Sequence, residues 1–129
     1  MATLVDGNVR TFKSVTDLSA GQYKCVKLSA ENTVILSSAA TDAILGVIDG
    51  IPAVGTLAHP ANVPVRLRSA AGTIKVMAGG VIAAGNPVTP DSTGKVIATT
   101  TAGNQIVGYA LEAGADTQII EVMPSTAKY

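Results

Sequence analysis

Apolar residues recur along the chain in short runs rich in Val and Ile, separated by Gly, Pro, Asn, Asp and Ser. This pattern is typical of short strands joined by turns. No window keeps a helical repeat over three turns without a Gly or a β-branched cluster. The Ala-rich patches 38–43 and 110–115 are each expected to form one helical turn. The predicted strands are 23–28, 33–36, 44–49, 63–68, 73–77, 95–98, 105–111 and 117–123.

Strands this short and this closely spaced predict an all-β fold. We expect a small β-barrel or sandwich, β-tulip or β-clip-like, built from two similar halves with an extended N-terminal arm. The predicted organisation is an arm over residues 1–17 and a single β domain over residues 18–129.

An internal repeat divides this domain into halves of about 18–68 and 82–123. Residues 18–21 resemble 82–85, residues 33–40 resemble 95–102, and residues 44–47 resemble 106–109. Two copies are too few for a solenoid, which needs at least three. They fit a barrel built from two similar halves, and in this alignment Arg66 falls at the position of Glu121.

A hairpin is predicted over residues 63–76, with its alternate apolar positions facing the core. This register gathers Arg66, Arg68 and Lys75 on the outer face, with Arg66 opposite Lys75. Like charges directly opposite destabilise an exposed pair by a few tenths to about 1 kcal/mol. Two interpretations remain open. Either Glu121 neutralises part of this basic cluster, or the cluster meets an acidic strip on a partner and sets its register.

The N-terminal segment lacks a clear period but carries Leu4, Val5, Val9 and Phe12. A strand-compatible segment at a terminus can add to an exposed sheet edge of a partner. The alternative is that this segment forms the first strand of the protein's own barrel.

Composition narrows the possible functions. The 129 residues suit one domain, with 9 Lys and Arg against 9 Asp and Glu and a net charge of zero. A neutral chain with 3% aromatic residues argues against a nucleic-acid partner. A content of 47% hydrophobic and 14% charged residues argues against disorder. We see no signal-peptide pattern and no uninterrupted apolar span, so no membrane partner is expected and synthesis in the cytoplasm is the default.

Candidate chemistry is sparse, and no catalytic, cofactor-binding or metal-binding residue is predicted. One Cys excludes an internal disulfide, and one Cys with one His is too few for a zinc site. Cys25 is expected to be a small, partly buried residue rather than a nucleophile. His59 lies in a loop before Pro60 and is expected to be solvated or turn-forming.

Residues 81–123 carry a more specific signal, in the order AAG-x-PV, G-x-V and TTTAGN-x-IVGYALEA. This combination resembles the bacteriophage capsid decoration, or cement, proteins. The resemblance implies a non-enzymatic, all-β virion protein without a cofactor, made in the host cytoplasm and seated on the outside of the head. It implies that the protein stabilises the expanded capsid by cementing neighbouring capsomers, with the major capsid protein and its own copies, often as a homotrimer, as partners.

Two alternative functions remain open beside this one. The first alternative is another phage virion or tail component, or a small β-barrel binding module. The second is a biotinyl or lipoyl carrier domain, because residues 72–88 resemble the rising strand of such domains. No Met-Lys-Met or Asp-Lys-Ala tip accompanies that strand, and Lys95 lies between Gly94 and Val96.

Two sets of residues follow from these interpretations. The hypothetical capsid contacts are Leu4, Val5, Val9, Phe12, Arg66, Arg68 and Lys75. The structural turn and motif residues are Gly46, Gly85, Pro87, Gly94, Gly103, Asn104 and Gly108, where Gly permits a positive φ or a close backbone approach and Pro fixes φ.

Overall fold

The computed structural model describes residues 8–69 and 71–129, and within them the chain forms ten strands and no helix. The all-β prediction is confirmed, but neither Ala-rich patch forms a helical turn. Residues 38–43 form turns and bends, and residues 110–115 run from the end of a strand through a bend to an isolated bridge. The strands are β1 (Val9–Ser14), β2 (Cys25–Ala30), β3 (Thr33–Leu36), β4 (Ile44–Ile48), β5 (Ala61–Leu67), β6 (Ile74–Met77), β7 (Pro87–Pro90), β8 (Val96–Ala98), β9 (Gly108–Ala110) and β10 (Ile119–Pro124).

The strands form two sheets with the same internal order. The first half, β1–β5, is a closed barrel of order β1-β3-β2-β4-β5, and the second half, β6–β10, is a sheet of order β6-β10-β9-β7-β8. Each strand of the first half therefore has a counterpart five strands later. For example, β2 pairs with β3 and β4, as β7 pairs with β8 and β9. Each sheet therefore begins before its predicted half of 18–68 or 82–123, because β1 and β6 are also part of the repeated unit.

Strand register identifies the corresponding residues. Gly46 pairs with Leu67 as Gly108 pairs with Pro124, so Arg66 corresponds to Met123. The sequence alignment of Arg66 with Glu121 is therefore wrong by two residues. Because side chains alternate with a period of two, a slip of two residues keeps the apolar pattern of both strands and is invisible to that pattern.

Residues 9–14 are a barrel strand and not an arm. β1 lies between β3 and β5, with Val9 opposite Arg66 and Ser14 opposite Ala61. The Phe12 side chain is 4% exposed within the barrel core. For these residues the first-strand alternative is correct, because a five-stranded barrel needs β1 to cover the free edge of β5. Residues 1–7, with Leu4 and Val5, lie outside the described part of the chain.

The hairpin expected over residues 63–76 does not form. β5 pairs with β1 and β4, whereas β6 pairs with β10. Since both edges of β5 are occupied in the closed barrel, β6 must find its partner in the second half. Arg66 therefore lies opposite Val9 and Val47, and Lys75 lies opposite Glu121.

Two apolar clusters fill the two halves. The barrel core contains Phe12, Leu18, Val26, Val34, Ile48, Val63 and Val65. The other cluster contains Ile74, Val76, Ala78, Ile82, Val88, Val96, Val107, Ala110, Ile120 and Val122 from the second half, with Cys25, Ile44 and Val47 from the first. The second core is therefore completed by side chains from the outside of the barrel.

The halves differ in how the seam between their first and third strands is closed. In the barrel, the Lys13 N–H donates to the Asn32 carbonyl at 2.7 Å, beside the parallel pair of Lys13 and Thr33. The corresponding groups of the second half are the Met77 N–H and the Gly94 carbonyl. These two groups bond to the first half instead.

Residues at the start of β2 occupy the seam of the second half. The Cys25 N–H donates to the Gly94 carbonyl at 2.7 Å, and the Met77 N–H donates to the Tyr23 carbonyl at 2.9 Å. Within the described part of the chain, the one β-bridge between β8 and the end of β6 joins Val96 to Ala78, the residue after β6. The two halves are therefore joined through their backbones as well as through a shared core.

Candidate capsid-contact surface

Arg66 holds a turn of its own chain. Its Nε donates to the Thr73 carbonyl at 3.1 Å and its Nη2 donates to the Ala71 carbonyl at 3.0 Å. The half-buried guanidinium thereby ties the connection between β5 and β6 to the end of the barrel. The Arg66 side chain is only partly buried by these contacts.

Lys75 and Glu121 form the charged centre of the β6–β10 pair. They lie directly opposite each other, and Glu121 Oε2 accepts a hydrogen bond from Thr73 Oγ1 at 2.7 Å. Arg66, Lys75, Glu121 and residues 47–49 line a cleft of about 260 Å³ between the two halves. The acidic residue therefore lies beside the two basic residues, which favours the interpretation that Glu121 offsets part of their charge.

Arg68 is not part of an exposed basic cluster. It is 8% exposed, and its guanidinium donates to the carbonyls of Ser125 at 2.6 Å, Ile106 and Ala127, and to Gln105 Oε1. Burial lowers the pKa of the guanidinium. The expected exposure is wrong because the second half covers the end of β5, and every group that the guanidinium binds belongs to residues 105–127.

Of the other predicted contacts that the structure describes, Val9 adjoins these residues and Phe12 does not. Phe12 is buried, and Arg10 lies over its ring at 4.4 Å from the centroid. Val9 is 39% exposed and lies opposite Arg66. Of the predicted set, the structure brings together Arg66, Val9 and Lys75 around one end of the barrel.

The groups with potential chemistry occupy structural positions. The Cys25 side chain is fully buried, and burial raises the pKa of its thiol to about 12. The thiol is therefore protonated at neutral pH and shielded from reagents. The His59 N–H donates to Thr56 Oγ1, which closes a turn. Among residues 8–69 and 71–129, no group of three or more His, Cys, Asp and Glu side chains could hold a metal ion.

Gly46 and Gly108 meet the same steric limit in the two halves. A Cβ on Gly46 would collide with the Arg66 carbonyl oxygen, and a Cβ on Gly108 would collide with the corresponding Met123 carbonyl oxygen. Neither position tolerates a side chain, because β4 approaches β5, and β9 approaches β10, too closely.

The turn residues support the same correspondence. Gly85, Gly94 and Gly103 have φ angles of +86°, +84° and +91°. In the strand register, Tyr23 of the first half corresponds to Gly85, and Asn32 corresponds to Gly94. Tyr23 and Asn32 also have positive φ angles, of 65° and 52°. The sequence alignment had instead assigned Gly21 to Gly85. Pro87 begins β7, and Asn104 Nδ2 donates to Thr99 Oγ1 at 2.8 Å.

An exposed apolar loop was missed by sequence reasoning. Residues 49–60 connect β4 to β5 and carry Ile51, Val54 and Leu57, which are 73%, 59% and 85% exposed. Gly55 rests against the Ser14 carbonyl, where a Cβ would collide. The centre of the loop therefore lies directly against the end of β1. The signal in the sequence was the longer spacer of the first half, together with its apolar residues.

A second exposed apolar surface lies on the outside of the second half. Tyr109, Leu111, Ile119 and Met123 are 37%, 46%, 37% and 50% exposed. Tyr109 pairs with Met123 across β9 and β10. The alternation of residues along β10 indicates this surface, since Ile120 and Val122 face the core and the alternate residues must face outward.

None of the described residues forms a helix long and apolar enough to cross a membrane.

Comparison with known proteins identifies the family. A model of the phage cement proteins matches residues 26–123, which span both halves from β2 to β10. The chain belongs to the phage cement protein family. No curated protein gives a significant match. Membership makes the chain a capsid-stabilising structural virion protein, located at the phage capsid.

A solved structure supports the fold independently. The N base of the head fiber protein gp8.5 of bacteriophage phi29 superposes with a TM-score of 0.68 at 16% sequence identity. The match covers 94% of this chain and 96% of that chain. The two-half architecture is therefore shared over nearly the full length of both.

Proposed function

We propose that the protein binds the outer surface of a phage head as a homotrimer and cements neighbouring capsomers of the major capsid protein in the expanded lattice. The observation that carries this proposal is a pair of separate exposed apolar surfaces on one small chain of the cement family. One is the loop over residues 49–60 and the other is the outer face of β9 and β10. A cement subunit needs two such surfaces, one for the shell and one for its own copies.

The loop over residues 49–60 is the better candidate for the shell. Its Ile51, Val54 and Leu57 side chains are more exposed than the apolar strand residues of β9 and β10, while Gly55 lies directly against the end of β1. A projecting apolar segment on a rigid support loses little conformational freedom when it enters a recess on a partner. Lys75 and Arg66 supply charge near the cleft, where rim charges set orientation and association rate more than affinity.

Stabilisation follows from selective binding. A subunit that binds the expanded lattice and not its precursor shifts the equilibrium toward the expanded lattice by mass action. Joining copies into a homotrimer adds avidity, because the second and third contacts become intramolecular. No step in this mechanism requires catalysis, so the protein acts without enzymatic activity. It is made in the host cytoplasm and joins the capsid there.

The N-terminal residues keep a separate proposed role. Residues before Asn8, with Leu4 and Val5, add to the contact on the shell by pairing with a sheet edge of the partner. Deleting residues 2–7 removes only positions before β1, so the barrel strand is retained. We expect a folded product with reduced head occupancy, measured beside the full chain. Unchanged occupancy would remove this segment from the contact.

The decisive experiment mixes the purified protein with expanded, undecorated heads and measures occupancy by negative-stain imaging and co-sedimentation. The Leu57→Glu variant tests the loop, and Val81→Glu is a matched control because Val81 is 86% exposed and lies in another loop. We expect at least a tenfold loss of apparent affinity for Leu57→Glu and wild-type binding for Val81→Glu. Heads that never acquire the wild-type protein would overturn the proposed function. Equal binding by both variants would assign the shell contact elsewhere.

A further inference from the structure

We propose that a second copy of this chain docks on the exposed row formed by Pro87, Tyr109 and Met123 on the outside of the second half. This inference rests on the homotrimer of the proposed function and assigns the surface through which its subunits meet. The row is continuous across three strands, since Tyr109 pairs with Pro87 on one side and with Met123 on the other.

The corresponding row of the first half is already an interface. Cys25, Val47 and Arg66 pair across β2, β4 and β5 in the same register. Cys25 and Val47 are 0% and 2% exposed, because they pack into the core of the second half. This face of the fold therefore has a demonstrated partner, and that partner is another copy of the same five-stranded unit.

In the second half the same face lacks a cover within the described chain. Tyr109 and Met123 are 37% and 50% exposed, although Val47 at the position corresponding to Tyr109 is buried. Ile119 adjoins the row on β10 at 37% exposed, and Leu111 follows β9 at 46%. The outer face of the second half is therefore apolar like the corresponding face of the first half, although no described part of the chain covers it.

Folding does not require apolar residues at these outward positions. Ile119 lies opposite Met77, whereas the corresponding barrel residues are Asn62 and Lys13, which are hydrogen-bonded through Lys13 Nζ and Asn62 Oδ1. The first half therefore shows that polar residues suit the same outward places. Binding is the remaining reason for an apolar face in the second half.

Charge also favours a second copy over a partner of one sign. Lys75 and Glu121 lie opposite each other beside the row, so its border carries one positive and one negative group. A border with both signs can meet its own copy without placing like charges together. It offers no net field to a strongly acidic or strongly basic surface.

The contact between copies cannot repeat the backbone bonds that join the halves. Pro87 stands where Cys25 stands in the first half, and Pro has no N–H to donate to a seam. The seam of the barrel is also closed already, by the bond from Lys13 to Asn32. Copies therefore meet through side chains. A filament that repeats the backbone seam between the halves is therefore excluded.

The test measures the self-association of the purified full chain, without heads, by sedimentation velocity over a range of concentrations. Met123→Glu and Tyr109→Lys each place a charge on the row, and Val81→Glu places one on an exposed apolar residue in another loop. We expect an oligomer for the wild type and for Val81→Glu, and at least a hundredfold weaker association for both row variants. Circular dichroism and thermal melting verify that each variant is folded.

The outcomes separate this inference from the proposed function. A wild-type monomer, or folded row variants that associate as strongly as the wild type, would overturn the inference. If such a monomer still decorates expanded heads, the proposed capsid binding stands and only the self-docking surface fails. If the row variants become monomeric and heads remain bare even with the wild type, the docking surface stands and the capsid function fails.

Discussion

The two halves of the molecule have the same strand order but reach closure differently. The barrel closes on itself through β1 and β3, whereas the second half leaves part of its seam to residues Tyr23 and Cys25 of the first. Its core likewise takes Cys25 and Val47 from the outside of the barrel. The first half is thus complete by itself, and the second half depends on it.

This difference teaches how a duplicated sheet becomes a single unit. Two independent barrels would share only a surface, and each would expose the same outer face. Here one outer face is buried between the halves and its counterpart, with Tyr109 and Met123, stays exposed. Because only one of the two corresponding faces is buried between the halves, the other remains exposed and is available for assembly.

The largest effect is expected from Arg68, which holds the second half to the end of β5. Arg68 follows β5 as Ser125 follows β10, so the two residues correspond. The Arg68 guanidinium binds the Ser125 carbonyl and thereby links the two corresponding positions directly. Arg68→Ala leaves the carbonyls of Ser125, Ile106 and Ala127 without their donor. We expect the free energy of unfolding to fall by about 3 to 5 kcal/mol, measured by urea denaturation.

Arg66→Ala is the matched control for Arg68→Ala, since Arg66 binds carbonyls of an exposed turn and is expected to cost about 1 kcal/mol. Equal losses for the two variants would contradict the view that Arg68 joins the halves.

The next prediction compares the two close approaches. Gly46→Ala and Gly108→Ala each force a Cβ against a backbone carbonyl of the neighbouring strand. Because the backbone must shift in both halves, we expect each variant to lose about 3 kcal/mol of stability in thermal or urea denaturation. Gly80→Ala is the control, since the nearest atom to its Cβ would be Ile97 Cγ2 at 3.8 Å. Loss in only one half would break the correspondence of the sheets.

The seam is tested by making the first half resemble the second. Cys25→Pro removes the N–H that donates to the Gly94 carbonyl and copies Pro87. We expect a loss of about 2 kcal/mol beyond that of Cys25→Ala, which keeps the N–H, in paired denaturation curves. Hydrogen exchange of the Met77 amide should accelerate in the Pro variant alone. Identical behaviour of the Pro and Ala variants would show that the seam bond contributes nothing.

The smallest effect concerns Asp42, which corresponds to Asn104 in the second half. The Asp42 carboxylate accepts backbone hydrogen bonds from Ser38 and Ala39 and pairs with Lys27 at 2.9 Å. The backbone bond from Ser38 is the main cause that lowers the pKa of Asp42 below its usual 3.8. A lowered folded-state pKa stabilises the protein above about pH 3.8, and this contribution is lost as the pH falls through the folded-state pKa.

We expect Asp42→Asn to cost about 1 kcal/mol or less at pH 7, and the difference from the wild type to shrink on acidification. Urea denaturation at pH 7 and near pH 3 measures both effects. Asp116→Asn is the control, because Asp116 pairs with Lys95 but is largely exposed. A pH-independent difference for Asp42→Asn would contradict the assigned role of its charge.

The sequence predicted the strands of both halves well except for two. β1 carries Lys13 on its outward side and Arg10 on the same side as the buried Phe12, and its apolar residues alone did not separate a barrel strand from an arm. β7 begins and ends with Pro, which normally marks a turn. Both strands are recognised only through their neighbours, since pairing with β5 and with β8 and β9 gives them their hydrogen bonds.

The candidate surface was harder to predict than the fold. Arg66 and Lys75 were placed together correctly, but through a hairpin that does not exist. Arg68 was expected to be exposed because alternation places it outside the barrel, but the second half covers it there. The exposed residues of loop 49–60 and of β9 and β10 were not recognised, because their apolar character is the same signal that marks a core.

The sequence by itself determined the strand-and-turn composition, the duplication, and the family signature in residues 81–123, because each depends on residue types close together in the chain. Only the tertiary structure decided which strands pair, which Arg is buried, and which of two corresponding faces stays exposed. Those outcomes depend on contacts between residues far apart in sequence. The alternation of apolar residues along a strand is the same whichever strand it pairs with and whichever face of the sheet is later covered, so it determines neither.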